Sequence, residues 1–252
     1  MTRGYTARAA VTAELGPAGR TRLTRLRSDG PLALRAAAGA LYLVGAAAGP
    51  LGGDDLELEV TVGPGARLAV RSAAASLALP GKGESRTTVR AEVGAGGHLD
   101  FAPEPAVAAA GCRHRAVARI ALAEGATLRW REELILGRYG ERPGRHTSRF
   151  DVTVGGAPLL RHELRLDDPA VRASRAVLGE AGAAGSVLLA GPELTGSPRT
   201  GEGWAVLPLA GAGVLVTALA PDSAALRRRL TEGEHAAVRQ DISAHAQRSS
   251  TA

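Results

Sequence analysis

Cysteine is almost absent from this chain, since Cys112 is the only one among 252 residues. A single thiol cannot form an internal disulfide, and such usage is typical of a reducing compartment. No stretch approaches the roughly 18 consecutive apolar residues of a membrane-spanning helix, and no signal-peptide apolar segment follows Met1. We therefore expect a soluble, cytoplasmic protein with no membrane partner.

Aromatic residues and lysine are scarce as well. Phe, Trp and Tyr together supply 3% of the chain, and Lys82 is the only lysine among 31 basic residues. Surfaces that stack nucleic-acid bases depend on aromatic rings, and a groove for a polymeric substrate would need them too. Nucleic-acid binding is therefore not expected. The core has to be built from Ala, Val and Leu, with 33 glycines available for turns.

The other basic residues are arginines, and they give the chain a net charge of +6. They are scattered along nearly every segment, and the densest run is Arg227, Arg228 and Arg229. Complementary charge accelerates protein association, so this distribution favours a partner with an acidic surface. An arginine-rich module that binds nucleic acid or an acidic surface remains an alternative function.

Three segments of similar sequence recur at a nearly constant interval, at residues 62–71, 93–102 and 122–131. Their shared glycines are Gly65, Gly96 and Gly125, which are 31 and 29 residues apart. Each segment ends one alternating strand, turns at the glycine and begins another strand. Such a unit buries its apolar face only by stacking on its neighbours. The repeat predicts an all-β fold, a β-helix-like or layered β-solenoid.

Helical spacing appears only near the C-terminus. Residues 221–223 resemble a helix start, and apolar residues then recur at intervals of three and four. We expect short helices within about 222–245, as part of a single domain that spans residues 1–252.

A glycine-rich turn at residues 49–54 contains the first candidate site residue. A phosphate-binding loop would lead through Gly-Lys-Ser/Thr into a helix, whereas residues 56–62 alternate as a strand. Gly52 and Gly53 are therefore predicted to form a tight turn. Asp54 is predicted either to cap that turn or to face a polar cavity.

Cys112 and His114 would share one side of a strand. A thiol and an imidazole can both bind a transition metal, but a stable site needs three or four ligands. The other histidines show no ligand spacing. We treat the two residues as weak candidates and predict no dedicated metal site.

The adjacent acids Glu132 and Glu133 must point to opposite faces of a strand, one inward and one toward solvent. An inward carboxylate needs a partner or water. Arg138, which follows the turn residue Gly137, is one candidate partner, and a polar cavity is the other explanation. As an alternative function, a β-solenoid enzyme acting on a polymer would use Asp54, Glu132 or Glu133 as acid and base.

Several landmarks over residues 20–166 occur in an order that resembles the urease accessory protein UreD family, also called UreH. These landmarks are Arg27-x-x-Gly-Pro-Leu32, Leu-Tyr-Leu at 41–43, Gly52-Gly53-Asp54, Gly-Ala-x-Leu at 65–68, Leu-x-x-x-Pro at 99–103, Glu132-x-x-x-Leu-Gly-Arg138 and Pro-Leu-Leu-x-x-Glu-Leu at 158–164.

The resemblance implies a β-helix-like fold and a non-catalytic role as a scaffold or chaperone in nickel insertion. Family members bind the accessory protein UreF, and through it the GTPase UreG, and they dock this assembly on apo-urease. A passage for nickel through the protein has been proposed for the family. By this resemblance, Asp54 and Glu132 become candidate passage-lining acids, with Arg138 near the turn. No tightly bound cofactor is expected, only transient nickel.

Overall fold

The repeats stack into two facing β-sheets in a computed structural model, which describes residues 4–37, 39–192 and 194–249. The strands, in chain order, are β1 (Thr6–Leu15), β2 (Thr21–Arg27), β3 (Leu32–Ala37), β4 (Ala40–Gly45), β5 (Asp55–Val62), β6 (Arg67–Ser72), β7 (Ser76–Ala78), β8 (Ser85–Val93), β9 (His98–Phe101), β10 (Ala106–Ala108), β11 (Arg113–Leu122), β12 (Thr127–Ile135), β13 (Arg145–Val154), β14 (Ala157–Arg165), β15 (Ala183–Ala190), β16 (Arg199–Gly201), β17 (Trp204–Pro208) and β18 (Gly213–Ala220). The helices are α1 (Pro169–Ala173) and α2 (Ser223–Ser249).

Sheet A has the strand order β14-β13-β11-β8-β5-β1-β2. Sheet B has the order β16-β17-β18-β15-β12-β9-β6-β4-β3, and β7 and β10 pair beside it. The strands β5, β8, β11 and β13 are mutually parallel in sheet A, as are β6, β9 and β12 in sheet B. Each repeat therefore carries the chain once from sheet A to sheet B.

The three sequence repeats are the stacked turns that join the two sheets. Gly65, Gly96 and Gly125 have φ angles of 65°, 65° and 75°, a conformation that glycine adopts without the strain a side chain would cause. Neighbouring turns are hydrogen-bonded to each other, since the Gly65 amide donates to the Ala95 carbonyl over 3.0 Å. The prediction of an all-β, β-helix-like fold is confirmed.

The main core lies between the sheets and is built largely from Ala, Val and Leu, as expected. Both phenylalanines of the chain also lie there. The Phe101 ring stacks on Trp130 with centroids 3.9 Å apart, and Phe150 lies 5.8 Å from the same indole. Three of the seven aromatic residues thus fill the core where the sheets face each other, and each ring there buries a large apolar area.

Helix α2 covers the outer face of sheet B, where Leu226 and Leu230 pack against Val187 and Val216. The side chain of Asp222 caps the helix by accepting a hydrogen bond of 2.8 Å from the Ala225 amide. The predicted helical segment is therefore one helix, somewhat longer than expected. Among the helices described, none combines the length and the apolar character needed to cross a membrane.

Residues 167–204 gave no clear pattern in the sequence, yet they contain β15, a central strand of sheet B. One face of β15 meets the core through Leu188, and the other lies under α2 through Val187. A strand buried on both faces loses the alternation that identifies strands in a sequence.

Candidate functional site

A cavity of about 1000 Å³ lies between the sheets, at the end remote from the stacked turns. Its walls include inward residues of β5, β8, β11 and β13 on one side and of β12, β15 and β18 on the other. Ala47, Ala48 and Ala74 are exposed and also line it. The cavity therefore opens to the surface beside the loops that follow β4 and β6.

Glu132 is the acidic side chain on the inner face of β12 in this cavity. Its Oε1 accepts a hydrogen bond of 2.9 Å from Trp130 Nε1, two residues earlier on the same face. Burial raises the pKa of Glu132, and the indole hydrogen bond opposes that rise only in part. Glu132 is thus an inward carboxylate, and it lines the wall beside Ser186 in a cavity whose other lining residues are mostly apolar.

Two buried histidines on sheet A also line the cavity. His114 and His146 are register partners on β11 and β13, and their ring centroids are 5.6 Å apart. Burial lowers the pKa of His114 to about 4 and that of His146 to about 3, with repulsion from His114 as a further cause for His146. Both imidazoles are therefore neutral near pH 7.

The hydrogen bonds of these histidines leave ring nitrogens available. Ser85 Oγ lies 2.9 Å from His114 Nδ1 and 3.3 Å from the Arg113 carbonyl. If the hydroxyl donates to the carbonyl, it accepts from His114 Nδ1, and Nε2 keeps its lone pair. His146 Nδ1 is buried without a hydrogen-bond partner. A neutral imidazole with a free nitrogen is able to bind a metal ion.

Sheet B is interrupted beside β12. β6 ends at Ser72 and β7 begins at Ser76, while β9 ends at Phe101 and β10 begins at Ala106. Most of the intervening residues, including Glu104, line the cavity. The lining also includes acids from both faces of β12, Glu132 on the inner face and Glu133 on the face covered by α2.

Charged residues occupy the outer side of this break. The side chain of Glu133 has no exposed surface, and its Oε1 lies 3.0 Å from Arg131 Nε and 3.4 Å from Arg227 Nε. These are ion-pair distances without hydrogen-bond alignment, since neither Glu133 oxygen has a hydrogen-bond partner. Arg227, on α2, also donates to Glu104 over 2.9 Å. The prediction that the second acid faces solvent is wrong, because α2 covers it.

Asp54 caps its turn behind the cavity wall and is not among the residues that line it. Its buried carboxylate accepts hydrogen bonds of 2.8 Å from the amides of Tyr5 and Leu51. Gly53 has a φ of +99°, and a Cβ on Gly52 would lie 2.7 Å from neighbouring backbone. The turn therefore requires both glycines and uses the acid for structure, while residues 49 and 50 beside it line the cavity.

Arg138 lies away from the cavity and does not pair with Glu132. It is exposed, and its Nε donates to Glu141 Oε1 over 2.8 Å. Glu141 also accepts from the Ala110 amide, and these hydrogen bonds hold its pKa down at about 2. Gly137, with φ of +84°, begins this turn. Glu141, which Arg138 holds in place, therefore joins the connection between β12 and β13 to the neighbouring turn at Ala110.

Cys112 and His114 do not converge on one site. The thiol lies in a separate apolar cluster, where burial raises its pKa, and it is absent from the cavity lining. The residue that joins His114 is His146, one coil further along the solenoid. Across the part of the chain that the structure describes, no three His, Cys, Asp or Glu residues are grouped to hold a metal ion.

The three acids considered for a polymer-acting enzyme do not converge either. Asp54 is tied to backbone amides, Glu132 faces the core side of sheet B, and Glu133 faces α2. General acid–base catalysis needs two groups directed at one reacting bond.

The fold and the cavity define a β-helix-like protein of two stacked sheets that encloses a largely apolar chamber with a few polar groups, open to the surface. A family model described as UreD urease accessory protein matches residues 6–251. The chain belongs to this family, which gives it a role in urease maturation. The resemblance carried by the sequence landmarks is thereby confirmed.

Relatives from actinobacteria agree with this result. The chain is 47% identical over 256 residues to a urease accessory protein UreD of Parafrankia sp. strain EAN1pec, covering 89% of this chain and 86% of the relative. It is 46% identical over 242 residues to one of Streptomyces avermitilis, covering 91% and 96%. A third, from Frankia casuarinae, is 43% identical over 281 residues, covering 90% and 88%.

Proposed function

We propose that this chain is a non-catalytic scaffold, or chaperone, that assists nickel delivery to the active site of urease. In this proposal it binds apo-urease and a UreF-type accessory protein in the cytoplasm, and through the latter a UreG-type GTPase. Family membership supports this role, because the relatives are named accessory proteins rather than enzymes. The scattered acids described above also fit a protein without a catalytic centre.

The observation that carries the nickel part of the proposal is the set of cavity groups Glu132, His114 and His146. Imidazole and carboxylate groups are suitable ligands for Ni(II). The two imidazoles are neutral near pH 7 and need not lose a proton before they bind a metal. A carrier also has to release its cargo, so a few dispersed ligands suit transit better than a complete, tight site.

The cavity opens beside the exposed loops that follow β4 and β6, where cargo would enter or leave. Glu104 and Glu133 line it at the break in sheet B, and Arg227 of α2 pairs with both acids. We therefore propose transit between the sheets past Glu132, with Asp54 acting only by holding the turn that supports the wall.

The test is co-expression of this chain with its UreF- and UreG-type partners and apo-urease of the same organism, in a host without urease. Glu132→Gln should leave co-elution with the UreF-type protein intact on size-exclusion chromatography with light scattering. It should reduce the nickel bound per urease active site, because the variant keeps the shape of the wall and loses a charged ligand.

The matched control is Glu163→Gln, which removes an exposed acid on β14. Equal nickel content for wild type, E132Q and E163Q would contradict the role of Glu132. If the chain failed to co-elute with the partners while urease still matured without it, the scaffold role itself would be refuted.

A further inference from the structure

Arginines cover the centre of the outer face of sheet A. The outward positions of β8, β11 and β13 carry Arg86, Arg90, Arg113, Arg115, Arg119 and Arg145, which we call the arginine face. Helix α2 lies on the other sheet, against β12, β15, β17 and β18. Five members of the face are exposed, namely Arg86, Arg90, Arg113, Arg119 and Arg145.

The members of the arginine face are aligned in like-charged pairs across neighbouring strands. The register places Arg113 beside Arg145, Arg115 beside Arg86, and Arg119 beside Arg90. Adjacent strands are only about 4.8 Å apart, and like charges directly opposite each other destabilise a sheet. Arg90 in the third pair has Glu57 as an ion-pair partner, but the pairs of Arg113 and Arg115 oppose folding, so an acidic partner that neutralised them would be bound favourably.

In the described part of the chain, Arg90 alone of the six forms an ion pair, with Glu57 at 2.8 Å. The register also sets acids opposite two others, with Asp55 beside Arg86 and Asp151 beside Arg119. Arg113 and Arg115 have no acid among their register partners. The uncompensated charge is therefore concentrated at these two arginines.

The surroundings of the arginine face favour a protein over a nucleic acid as its binding partner. The outward positions of β8, β11 and β13 carry no aromatic side chain that could stack on a base. The carboxylates of Glu57, Asp151 and Glu163 flank the face and would repel a phosphate backbone that continued across it. We propose that the arginine face docks an acidic surface of a partner protein.

This docking surface is separate from the cavity and its proposed nickel transit. Complementary charge raises the rate of encounter and sets the orientation of two proteins. The flat face of a parallel sheet holds its arginines at fixed spacing, and the aliphatic stems of long side chains can shield apolar neighbours such as the buried Val117 among them. The face would therefore meet its partner with little reorganisation.

The test measures binding of the full chain to short fluorescent poly-L-glutamate by anisotropy, over a series of salt concentrations. Charge reversal in Arg113→Glu/Arg115→Glu should weaken binding by about tenfold or more at low salt. The control Arg199→Glu/Arg228→Glu makes the same change of charge on β16 and α2, on the other side of the molecule. It should alter binding by less than about twofold.

The melting temperature separates lost binding from lost folding. R113E/R115E places an acid opposite Arg145 and another opposite Arg86, so its melting temperature should stay the same or rise. If it fell, the neutral variant Arg113→Gln/Arg115→Gln would be used for the same titration and should also bind more weakly.

Equal weakening by the control pair, or none by the test pair, would overturn the proposal. Tighter binding of a single-stranded RNA of equal charge would also overturn it, in favour of a nucleic-acid ligand. Since the isolated chain is titrated, none of these outcomes depends on nickel delivery or on the assembly of the urease complex.

Discussion

Replacing Glu133 by glutamine would test the buried charges beneath α2. The Glu133 side chain has no exposed surface, and the Nε atoms of Arg131 and Arg227 lie 3.0 and 3.4 Å from its Oε1. Glutamine keeps nearly the same volume and removes the negative charge. Both arginines would then face a neutral amide at a site with little access to water.

The two arginines contribute unequally to the loss of stability that we expect from Glu133→Gln. Arg131 is 16% exposed and Glu133 is its acidic partner, whereas Arg227 is 41% exposed and also pairs with Glu104. Removing one member of a buried pair costs about 3–5 kcal/mol, and an exposed pair contributes about 0.5 kcal/mol. Because the contacts lack hydrogen-bond alignment, we expect the free energy of unfolding to fall by less than a well-aligned buried pair would cost, about 2–3 kcal/mol. For a chain of this size, the melting temperature should fall by roughly 5–10 °C.

Urea unfolding, followed by tryptophan fluorescence and circular dichroism, would measure this loss. A double-mutant cycle of Glu133→Gln with Arg131→Met should give a coupling energy of about 1–2 kcal/mol. The control Glu92→Gln removes an exposed acid from β8 and should change stability by less than about 0.5 kcal/mol. A loss for E133Q as small as that of the control, or a coupling energy near zero, would refute the reasoning.

Two further predictions concern stability. Asp54→Ala should lower the free energy of unfolding by about 2–3 kcal/mol, because the amides of Tyr5 and Leu51 lose their acceptor; urea unfolding would measure it. Acidification from pH 7 should destabilise the protein through His114 and His146, whose folded pKa values of about 4 and 3 lie below the ordinary 6.5. The unfolded chain takes up these protons first, so stability should fall from about pH 6.5 until the folded pKa values are reached, as measured by the melting temperature.

Matched variants check both predictions. Asp55→Asn changes the exposed acid next to Asp54 and should be nearly neutral, so an equal effect of the two variants would contradict the capping role. The double variant His114→Gln/His146→Gln should flatten the pH dependence between about 6.5 and 4. An unchanged slope would show that other groups cause the acid destabilisation.

The fold could be predicted where the chain repeats itself. The glycine turns at residues 65, 96 and 125 imply their own stacking, because each repeat needs a neighbour to bury its apolar face. The hairpin of β13 and β14 is likewise a local feature, since the strands pair across the adjacent glycines Gly155 and Gly156. β15 escaped prediction because both of its faces are buried, one by the core and one by α2.

The candidate site was predicted only in part. Alternation along β12 set Glu132 and Glu133 on opposite faces without deciding which one points inward, and Glu132 became the candidate through the family resemblance. The pairing of His114 with His146 was missed, although their separation of 32 residues is close to the length of the repeat. Extending the repeat by one strand, to β13, would have placed the two histidines side by side.

The sequence by itself determined the stacked β-architecture and the family, and it set Glu132 and Glu133 on opposite faces of one strand, because these features depend on local turns and on alternation along a strand. Only the tertiary structure decided which distant groups meet. It placed Arg227 of α2 over Glu133, turned Arg138 toward Glu141 and aligned the arginines of β8, β11 and β13. Such contacts depend on the docking of a helix and the register of separate coils, and neither is encoded within a single segment of the chain.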